Sequence, residues 1–313
     1  MALSMKIKHL MEDMMIKKVI LLISALMLLL TACSQKPLGS KANPVKLYFV
    51  PSMEANKIVE SAEAISDFLH QDTGLYFKVA VPTSYAAVIE AMGSEEADIA
   101  FLATFAYIMA HQKYNAQVEL TTVRNNLSRY RGQFVAQTSS NINEIKDIQD
   151  KVIAYTDAAS TSGYIYPSAI LKKNQITPKK EIMAGGHPQA ILAVYEGTAD
   201  VGCTFWSPEH EGIPQDARNS VAETHPDVFN KLKIIGFTEW IPNDTVTFRD
   251  KFPKELKDKI VTSLLKYAKD PEGKKELKDL YQIDDFIVSQ DSDYDIVRST
   301  LQTLGMDANE LFK

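Results

Sequence analysis

The segment with the most specific chemistry is "DAASTSGYIYPSAIL", residues 157–171. Three adjacent hydroxyl residues, Ser160, Thr161 and Ser162, stand directly before an apolar run with helical spacing. A helix cap needs one such hydroxyl, because its oxygen accepts a hydrogen bond from an N–H group of the first turn. Three hydroxyls beside free N–H groups and the positive end of a helix dipole favour a bound oxyanion. The segment therefore predicts a helix start, with a simple cap and an anion site as alternative interpretations.

The sequence has no pattern that makes a positive case for catalysis or metal binding. The six histidines are scattered, without a pair at the i, i+4 spacing of a helical metal site, and no GxSxG or P-loop motif occurs. An enzyme with Ser160 or Ser162 as nucleophile would need an adjacent base oriented by a third group. His187 is a candidate base, but no acid partner for it can be identified. We therefore expect no enzyme activity, no metal and no cofactor.

The composition is that of a globular protein with an acidic balance. The 313 residues are 45% hydrophobic and carry a formal net charge of −6. This length predicts about two domains, and the charge argues against a nucleic-acid partner, which would need a basic surface. An acidic protein that takes up an anion must bind it through local donors, because its overall field does not attract that ligand.

The N-terminal region has the layout of a secretory signal peptide. In "MIKKVILLISALMLLLTACS", residues 15–34, two lysines precede an apolar run that ends in Leu-Thr-Ala-Cys. The run is too short to span a bilayer comfortably, for which about 20 apolar residues are needed. The ending resembles the bacterial lipobox, so we expect a signal peptide over residues 1–32, lipidation of Cys33 and a tether over residues 33–44. A short membrane anchor with an incidental cysteine is the alternative.

Strands and helices alternate along the rest of the chain. From Val45 onward, short apolar strands are followed by helical patterns, and a second series of the same kind starts near Thr138. This alternation predicts α/β architecture with parallel strands. Two such units predict a two-lobed binding protein, whose ligand lies where strand ends and helix starts face a cleft. Polar or aromatic residues suited to that role occur at four junctions: Pro51-Ser52, Thr83-Ser84-Tyr85, Asp157 to Ser162, and Gly186-His187.

Five segments together resemble one protein family. They are "TSYAAVIEAMGSEEADIAFLATFAYIMA", "YRGQFVAQ", "DAASTSGYIYPSAILKK", "AGGHPQAILAVYEGTADVG" and "IPNDTVTFR". Their order and spacing are similar to those of the substrate-binding lipoproteins of ABC importers for phosphate, phosphite and phosphonates, from about Val45 to Pro253. The resemblance implies the type II periplasmic-binding fold, an α/β fold in which the chain crosses twice between two lobes. It implies lobe 1 over residues 45–133 and 243–313, and lobe 2 over residues 134–242.

The resemblance also implies which residues bind the ligand. A tetrahedral –PO₃ group would rest on the hydroxyl motif at the start of the lobe 2 helix, and His187 would donate to the same oxygens. Tyr85 and Tyr130 match aromatic positions of lobe 1, and Asp244 matches an acid near the second crossover that can face a substrate amine. The implied ligand-binding residues are Ser160, Thr161, Ser162, His187, Tyr85, Tyr130 and Asp244.

One departure from the family pattern bears on the ligand. Family members often continue the "ADVG" strand into an aromatic and an acidic doublet, whereas this chain reads "CTFWSPEHEGIPQDAR", with an apparent insertion over residues 206–218. Trp206 would then join the ligand-binding residues as an apolar wall. This predicts a preference for small or apolar-substituted phosphorus oxyanions over aminoalkyl compounds. In the alternative interpretation, Trp206 packs into the core of lobe 2 and does not contact the ligand.

The function that the resemblance implies is transport. We expect an exported, lipid-anchored monomer on the periplasmic or extracellular face of the membrane, which captures phosphate, phosphite or an alkylphosphonate and delivers it to an ABC permease. The alternative is the same fold with a phosphorylated cofactor precursor such as a thiamine phosphate, on whose ring Trp206 would stack. A surface adhesin or sensory module is a further class, and it would not require the crossing between lobes.

Overall fold

The computed structural model describes residues 11, 14–18 and 36–305. The chain divides into two compact units, Met1–Asn43 and Pro44–Lys313. In the first unit, residues 14–18 are helical, and residues 36–43 form turns in which the Gly39 N–H donates to the Asn43 carbonyl at 2.8 Å. Most of the predicted signal peptide, and Cys33 with it, lies outside the described residues. None of the helices that the structure describes combines the length and the apolar character needed to cross a membrane.

The second unit contains two β-sheets with helices packed around them, which confirms the α/β class that the alternating pattern predicts. The sheets are mixed and not purely parallel as expected, since antiparallel pairs occur in both. Its described strands are β1 (Val45–Phe49), β2 (Phe77–Ala80), β3 (Ile99–Leu102), β4 (Gln117–Val123), β5 (Arg129–Gln137), β6 (Val152–Tyr155), β7 (Lys180–Met183), β8 (Val201–His210), β9 (Ile213–Asp216), β10 (Leu232–Pro242), β11 (Thr245–Phe248) and β12 (Asp285–Val288). Its described α-helices are α1 (Ala55–Thr73), α2 (Tyr85–Gly93), α3 (Thr104–Tyr114), α4 (Tyr166–Lys173), α5 (His187–Tyr195), α6 (Val228–Lys231), α7 (Lys254–Tyr267), α8 (Pro271–Tyr281) and α9 (Asp295–Thr303).

Each sheet belongs to one lobe and combines parallel with antiparallel strands. The lobe 1 sheet has the order β12-β4-β11-β3-β1-β2, with β1 parallel to both β2 and β3. The lobe 2 sheet has the order β10-β5-β8-β6-β7, with β6 parallel to β7 and β8, while β9 pairs with β8 as a hairpin. This hairpin occupies much of the stretch that the sequence suggested to be an inserted loop. Strand β5, which follows the first crossing, runs antiparallel to both of its neighbours, β10 and β8. Strand β11, which follows the second crossing, runs antiparallel to both β3 and β4.

The chain crosses between the sheets at two adjacent segments. The first crossing is residues 124–128, between β4 and β5, and the second is Asn243–Asp244, between β10 and β11. The predicted lobe boundary after residue 133 therefore falls inside β5, all of which pairs in the lobe 2 sheet. The boundary predicted between residues 242 and 243 falls between β10 and β11. An apolar strand pattern shows that a strand exists, but not which sheet it joins, and this explains the shift of the first boundary.

Hydrogen bonds hold the two crossings side by side. The Asn243 side-chain amide donates to the carbonyls of Thr122 (3.0 Å) and Leu127 (2.9 Å), and the Thr122 N–H donates to the Asp244 carbonyl at 2.9 Å. In the first crossing, Asn125 and Asn126 both have positive φ, 50° and 60°. Asparagine tolerates this left-handed conformation better than most residues, so the "RNNL" turn is tight without glycine.

The two lobes are in contact around the N-termini of their helices. One cluster of buried apolar side chains contains Val88, Phe105 and Ala106 of lobe 1 together with Ile165 and Tyr166 of lobe 2. The backbone N–H of His187, at the start of α5, donates to the Ser52 carbonyl of lobe 1 at 3.1 Å. The structure is therefore a closed form, in which the predicted strand–helix junctions face one another.

Candidate functional site

A cavity of about 50 Å³ lies between the two lobes. Since one water needs roughly 10–15 Å³ of such volume, the cavity admits a group the size of a few waters. Six of the residues predicted from the sequence line it: Tyr85, Tyr130, Ser160, Ser162, His187 and Asp244. Thr161 and Trp206 do not line it.

The hydroxyl motif begins a helix, as predicted. Ser160 is the N-cap, and its Oγ accepts a hydrogen bond from the Gly163 N–H at 3.1 Å. The helix opens with a π-helical turn, Thr161–Ile165, and continues as α4. The first N–H groups of such a helix have no partner within it, and they lie at the positive end of its dipole. Ser160 and Ser162 are both buried and both line the cavity, so a helix cap and a cavity wall coexist in this motif.

Gly163 explains how the helix start comes so close to strand β6. A Cβ atom at this position would lie 1.9 Å from Oγ1 of Thr156, which follows β6. The backbone is hydrogen-bonded at the same place, since the Thr156 N–H donates to the Gly163 carbonyl at 3.2 Å. Only glycine therefore fits at this position, in the first turn of the helix that carries Ser160 and Ser162.

Thr161 has a different position from the one that the resemblance implied. Its Oγ1 accepts a hydrogen bond from the backbone N–H of Phe105 in lobe 1 at 2.8 Å, and its side chain is fully buried. The middle hydroxyl of the motif therefore faces the start of α3. Thr161 is thus a contact between the lobes and not a cavity residue.

Trp206 also has a different position. Its ring packs against Phe237 (4.8 Å between centroids) and lies 6.4 Å from Trp240, with the guanidinium of Arg131 over both of these partners. Successive side chains of a strand point to opposite faces, and its neighbours Phe205 and Ser207 line the cavity. The apolar wall predicted for Trp206 is therefore formed by Phe205.

His187 is a neutral, buried imidazole at the start of α5. It is 6% exposed, its ring meets Phe205 edge-on at 4.9 Å, and its Nδ1 has no hydrogen-bond partner among the described residues. Burial, aided by the charge of Arg124, lowers the pKa of His187 to about 3. The ring makes no hydrogen bond to Ser160 or Ser162 within the described chain, whereas an activated serine nucleophile would need one. His187 can instead offer one N–H donor to a ligand.

The tyrosines of the cavity are hydrogen-bond donors. Burial raises the pKa of Tyr85 and of Tyr130, and the nearby Asp244 carboxylate raises both further, so the hydroxyls keep their protons. Tyr281 also lines the cavity, although no sequence pattern pointed to it. Its hydroxyl donates to the Val50 carbonyl at 2.6 Å. Tyr85 adds a contact between lobes, because its backbone N–H donates to Asp157 Oδ2 at 3.3 Å.

Arg124 is the most consequential cavity residue that the sequence reasoning missed. It lies in the first crossing, lines the cavity, and forms an ion pair with Asp244 of the second crossing, with 2.6 Å between Nη2 and Oδ2. Its Nε–H donates to the Tyr281 carbonyl at 2.8 Å. The available signal was a lone arginine at the end of a strand pattern, directly before an Asn-Asn turn. The two charges cancel formally, so the cavity combines a paired guanidinium with neutral donors.

This set of donors suits a small oxyanion. Hydroxyls, an imidazole N–H, a guanidinium and a helix N-terminus all supply hydrogen-bond donors. Among the residues that the structure describes, no group of histidine, cysteine, aspartate or glutamate side chains has the arrangement to hold a metal ion.

Comparison with known proteins assigns the chain to a family. The family model for periplasmic substrate-binding proteins of phosphonate ABC transporters matches residues 47–294. The "Phosphate-import protein PhnD" of Mycolicibacterium smegmatis is 28% identical over an alignment of 198 residues that covers 57% of this chain and 62% of that protein. The "Phosphonates-binding periplasmic protein" of Escherichia coli is 28% identical over 204 residues, 63% of this chain and 58% of that protein. The chain thus spans about six tenths of the length of these curated relatives.

Solved structures share the fold. A binding protein component of an ABC phosphonate transporter from Pseudomonas aeruginosa superposes with a TM-score of 0.74 at 23% identity, covering 87% of each chain. PhnD1 from Prochlorococcus marinus, solved in complex with methylphosphonate, superposes with a TM-score of 0.70 at 16% identity, covering 83% of this chain and 98% of that one. These similarities confirm the predicted two-lobed type II fold. The family match over residues 47–294 confirms the predicted resemblance, and this chain belongs to the periplasmic phosphonate-binding family of ABC-transporter substrate-binding proteins, whose members bind substrates for transport and are not enzymes.

Proposed function

We propose that this protein is the substrate-binding component of an ABC importer and captures a small phosphorus oxyanion in the cavity between its lobes. The candidate ligands are phosphate, phosphite and short alkylphosphonates. One observation carries the proposal: Ser160 and Ser162, at a helix N-terminus of lobe 2, share a closed cavity with Tyr85 of lobe 1 and with the guanidinium of Arg124.

The chemistry of these donors supports the proposal. A tetrahedral –PO₃ group presents three oxygens that only accept hydrogen bonds when it is fully ionised, and the cavity supplies hydroxyl, imidazole and guanidinium donors for them. Hydrogen bonds with a charged partner are roughly twice as strong as neutral ones. The helix N-terminus adds N–H groups and a favourable dipole. The local donors thus compensate for the net charge of −6 of the whole chain.

The size of the cavity favours the smaller ligands. A volume of about 50 Å³ in the closed form holds an oxyanion head with a short substituent, whereas a thiamine phosphate would bring two further rings. The alternative ligand class required Trp206 to stack on such a ring, but Trp206 does not line the cavity and packs on Phe237 instead. The similarity to a phosphate-import protein and to a protein solved with methylphosphonate is consistent with a small ligand.

The cellular setting is proposed from the sequence and the family. The apolar run before Cys33 supports export and lipid anchoring on the periplasmic or extracellular face, and the family supports an ABC permease as partner. We propose a monomer that has no nucleic-acid partner. Labelling of the expressed protein with a fatty-acid analogue tests the anchor: the label should be lost in Cys33→Ser, and an unlabelled wild-type protein would exclude lipidation.

Native mass spectrometry and titration calorimetry test the ligand. The purified protein is titrated with phosphate, phosphite, methylphosphonate and thiamine monophosphate, with sulfate as a tetrahedral control. We expect one molecule of a small phosphorus oxyanion to bind per chain, with thiamine monophosphate much weaker. Failure of every phosphorus oxyanion to bind would overturn the proposed function, and tightest binding of thiamine monophosphate would favour the alternative ligand class.

A further inference from the structure

Inside the ligand cavity, the carboxylate of Asp244 is paired with the guanidinium of Arg124. The ion pair measures 2.6 Å between Nη2 and Oδ2, with the side chains only 14% and 25% exposed, and a second bond joins Nε to the Tyr281 carbonyl. A guanidinium group has five N–H donors, and two of them are used in these bonds. The remaining donors belong to a side chain that lines the cavity.

We propose that Arg124 selects the ligand class, because it fills the place that a ligand ammonium group would need beside Asp244 and turns its remaining donors to the ligand. The cavity then accepts phosphorus oxyanions that lack a cationic substituent and rejects aminoalkylphosphonates. This inference rests on the proposed function and adds the residue that determines its specificity.

The two charges act on the same wall of the cavity. Asp244 raises the pKa of Tyr85, Tyr130 and Tyr281, in each case second to burial. Arg124 lowers the pKa of Tyr130 and Tyr281, and it also lowers that of His187. A substituent that reaches this wall therefore meets both charges at once.

An ammonium group at this place would be poorly compensated. It would lose its hydration in a closed cleft, face the guanidinium, and find the carboxylate already neutralised. A buried charge without a partner is costly, and repulsion of the wrong ligand is an effective source of specificity.

No second acid relieves this conflict in the part of the chain that the structure describes. Of the cavity-lining residues, only Asp244 carries a carboxylate. Glu209 is exposed on the β8–β9 hairpin and does not line the cavity. Asp157 accepts from the backbone N–H groups of Tyr85 and Ala159 at the lobe contact. The sequence predicted from Trp206 that ligands without an amine would be preferred. The structure supports the same preference for an electrostatic reason, the Arg124–Asp244 pair.

The test compares two ligands of equal shape and different charge. Propylphosphonate and 2-aminoethylphosphonate differ in a terminal CH₃ against NH₃⁺, and methylphosphonate serves as the small reference ligand. Calorimetry on the wild-type protein should rank methylphosphonate first and propylphosphonate above 2-aminoethylphosphonate.

Arg124→Ala should reverse the order of the matched pair. The variant removes more heavy atoms than an aminoethyl group adds, and it leaves Asp244 without its cation. Loss of charged hydrogen bonds should weaken methylphosphonate binding about ten- to a hundredfold, while binding of 2-aminoethylphosphonate should strengthen. The double variant Arg124→Ala/Asp244→Asn should lose this gain, because the gain requires the carboxylate.

Two further variants keep the result interpretable. Arg298→Ala removes a partly exposed arginine that also pairs with an aspartate, Asp291, but lies outside the cavity, and it should leave all affinities unchanged. Arg124→Lys retains the charge if the alanine variant does not fold, and it should keep the wild-type order with weaker binding.

The possible failures are distinct. If the wild type binds none of the phosphorus oxyanions, the proposed function fails. If it binds methylphosphonate but ranks 2-aminoethylphosphonate above propylphosphonate, or if Arg124→Ala leaves their ratio unchanged, the role of Arg124 is wrong and the proposed function stands.

Discussion

Oγ1 of Thr161 accepts a hydrogen bond from the backbone N–H of Phe105 at 2.8 Å, and this bond joins the helix start of lobe 2 to the helix start of lobe 1. Together with the bond from the His187 N–H to the Ser52 carbonyl, it exists only when the lobes are closed. These two bonds stabilise the closed form. They therefore also increase the affinity for any ligand that binds the closed form preferentially.

Thr161→Val should lower ligand affinity although Thr161 does not line the cavity. The substitution keeps the shape and deletes the acceptor, which should cost about 1 kcal/mol of closure, or several-fold in the dissociation constant. Calorimetry should show the same factor for phosphate and for methylphosphonate, since the effect acts through closure. Thr198→Val, on an exposed threonine bonded within its own lobe, is the control. A loss confined to one ligand would indicate direct contact instead.

Ser162→Ala should weaken every phosphorus oxyanion about ten- to a hundredfold, because a hydrogen bond to a charged group is lost. Ser162 is preferable to Ser160, whose loss would also remove a helix cap. Ser168→Ala, in α4 and outside the cavity, should leave binding unchanged. Equal affinities of wild type and Ser162→Ala would remove this hydroxyl from the site.

His187 should make the ligand-free protein less stable as the pH falls. Burial lowers the pKa of His187 to about 3, whereas an unfolded histidine titrates near 6.5. Between these values the unfolded chain binds more protons, so stability rises with pH across this window and is lost as the pH falls below about 6.5. Urea unfolding at pH 7.5 and pH 5 should show a larger loss for the wild type than for His187→Gln.

The half-buried His225, which lies outside the cavity, provides the control for this pH effect. His225→Gln should retain the wild-type loss of stability at pH 5. A His187→Gln protein whose stability falls as much as that of the wild type would show that other groups cause the pH dependence.

Gly163→Ala should destabilise the fold and weaken binding, because its Cβ would overlap Oγ1 of Thr156. Overpacking of this kind costs roughly 1–3 kcal/mol. The second substitution Thr156→Ala should restore part of the stability, since it removes the two nearest atoms, Oγ1 and Cγ2, and leaves only the Cβ at 2.8 Å. It also removes a hydroxyl that has no hydrogen-bond partner among the described residues. Thermal unfolding of the single and double variants measures this, and a double variant no more stable than Gly163→Ala would point to a backbone cause.

Much of the fold followed from the sequence, because strand–helix alternation and the hydroxyls before the helix at Ser160 are local patterns. The residues at strand–helix junctions, such as Tyr85 and His187, were also predictable, since parallel strands bring such junctions to one edge. Which side chains of β8 point toward the cavity could not be predicted. A shift of one residue exchanges Trp206 for Phe205 at the cavity, and only pairing with β5 fixes that register.

Arg124 was missed for a related reason. Its importance comes from Asp244, which is 120 residues distant in sequence, and from the change of sheet between them. The short segment "RNNLS" has no apolar periodicity that would announce such a change. The expected position of Thr161 was wrong because successive residues of a helical turn point in different directions. The middle hydroxyl of the motif contacts lobe 1, while Ser160 and Ser162 line the cavity.

The pair Arg124–Asp244 also joins the two segments through which the chain passes from lobe to lobe. The same ion pair therefore lies both at the connection between the lobes and in the wall that contacts the ligand. A substitution that retunes specificity at this pair will also retune the resting equilibrium between open and closed shapes. Redesign of this scaffold as a biosensor will have to adjust recognition at the pair and signal amplitude elsewhere, for instance at the Thr161–Phe105 contact.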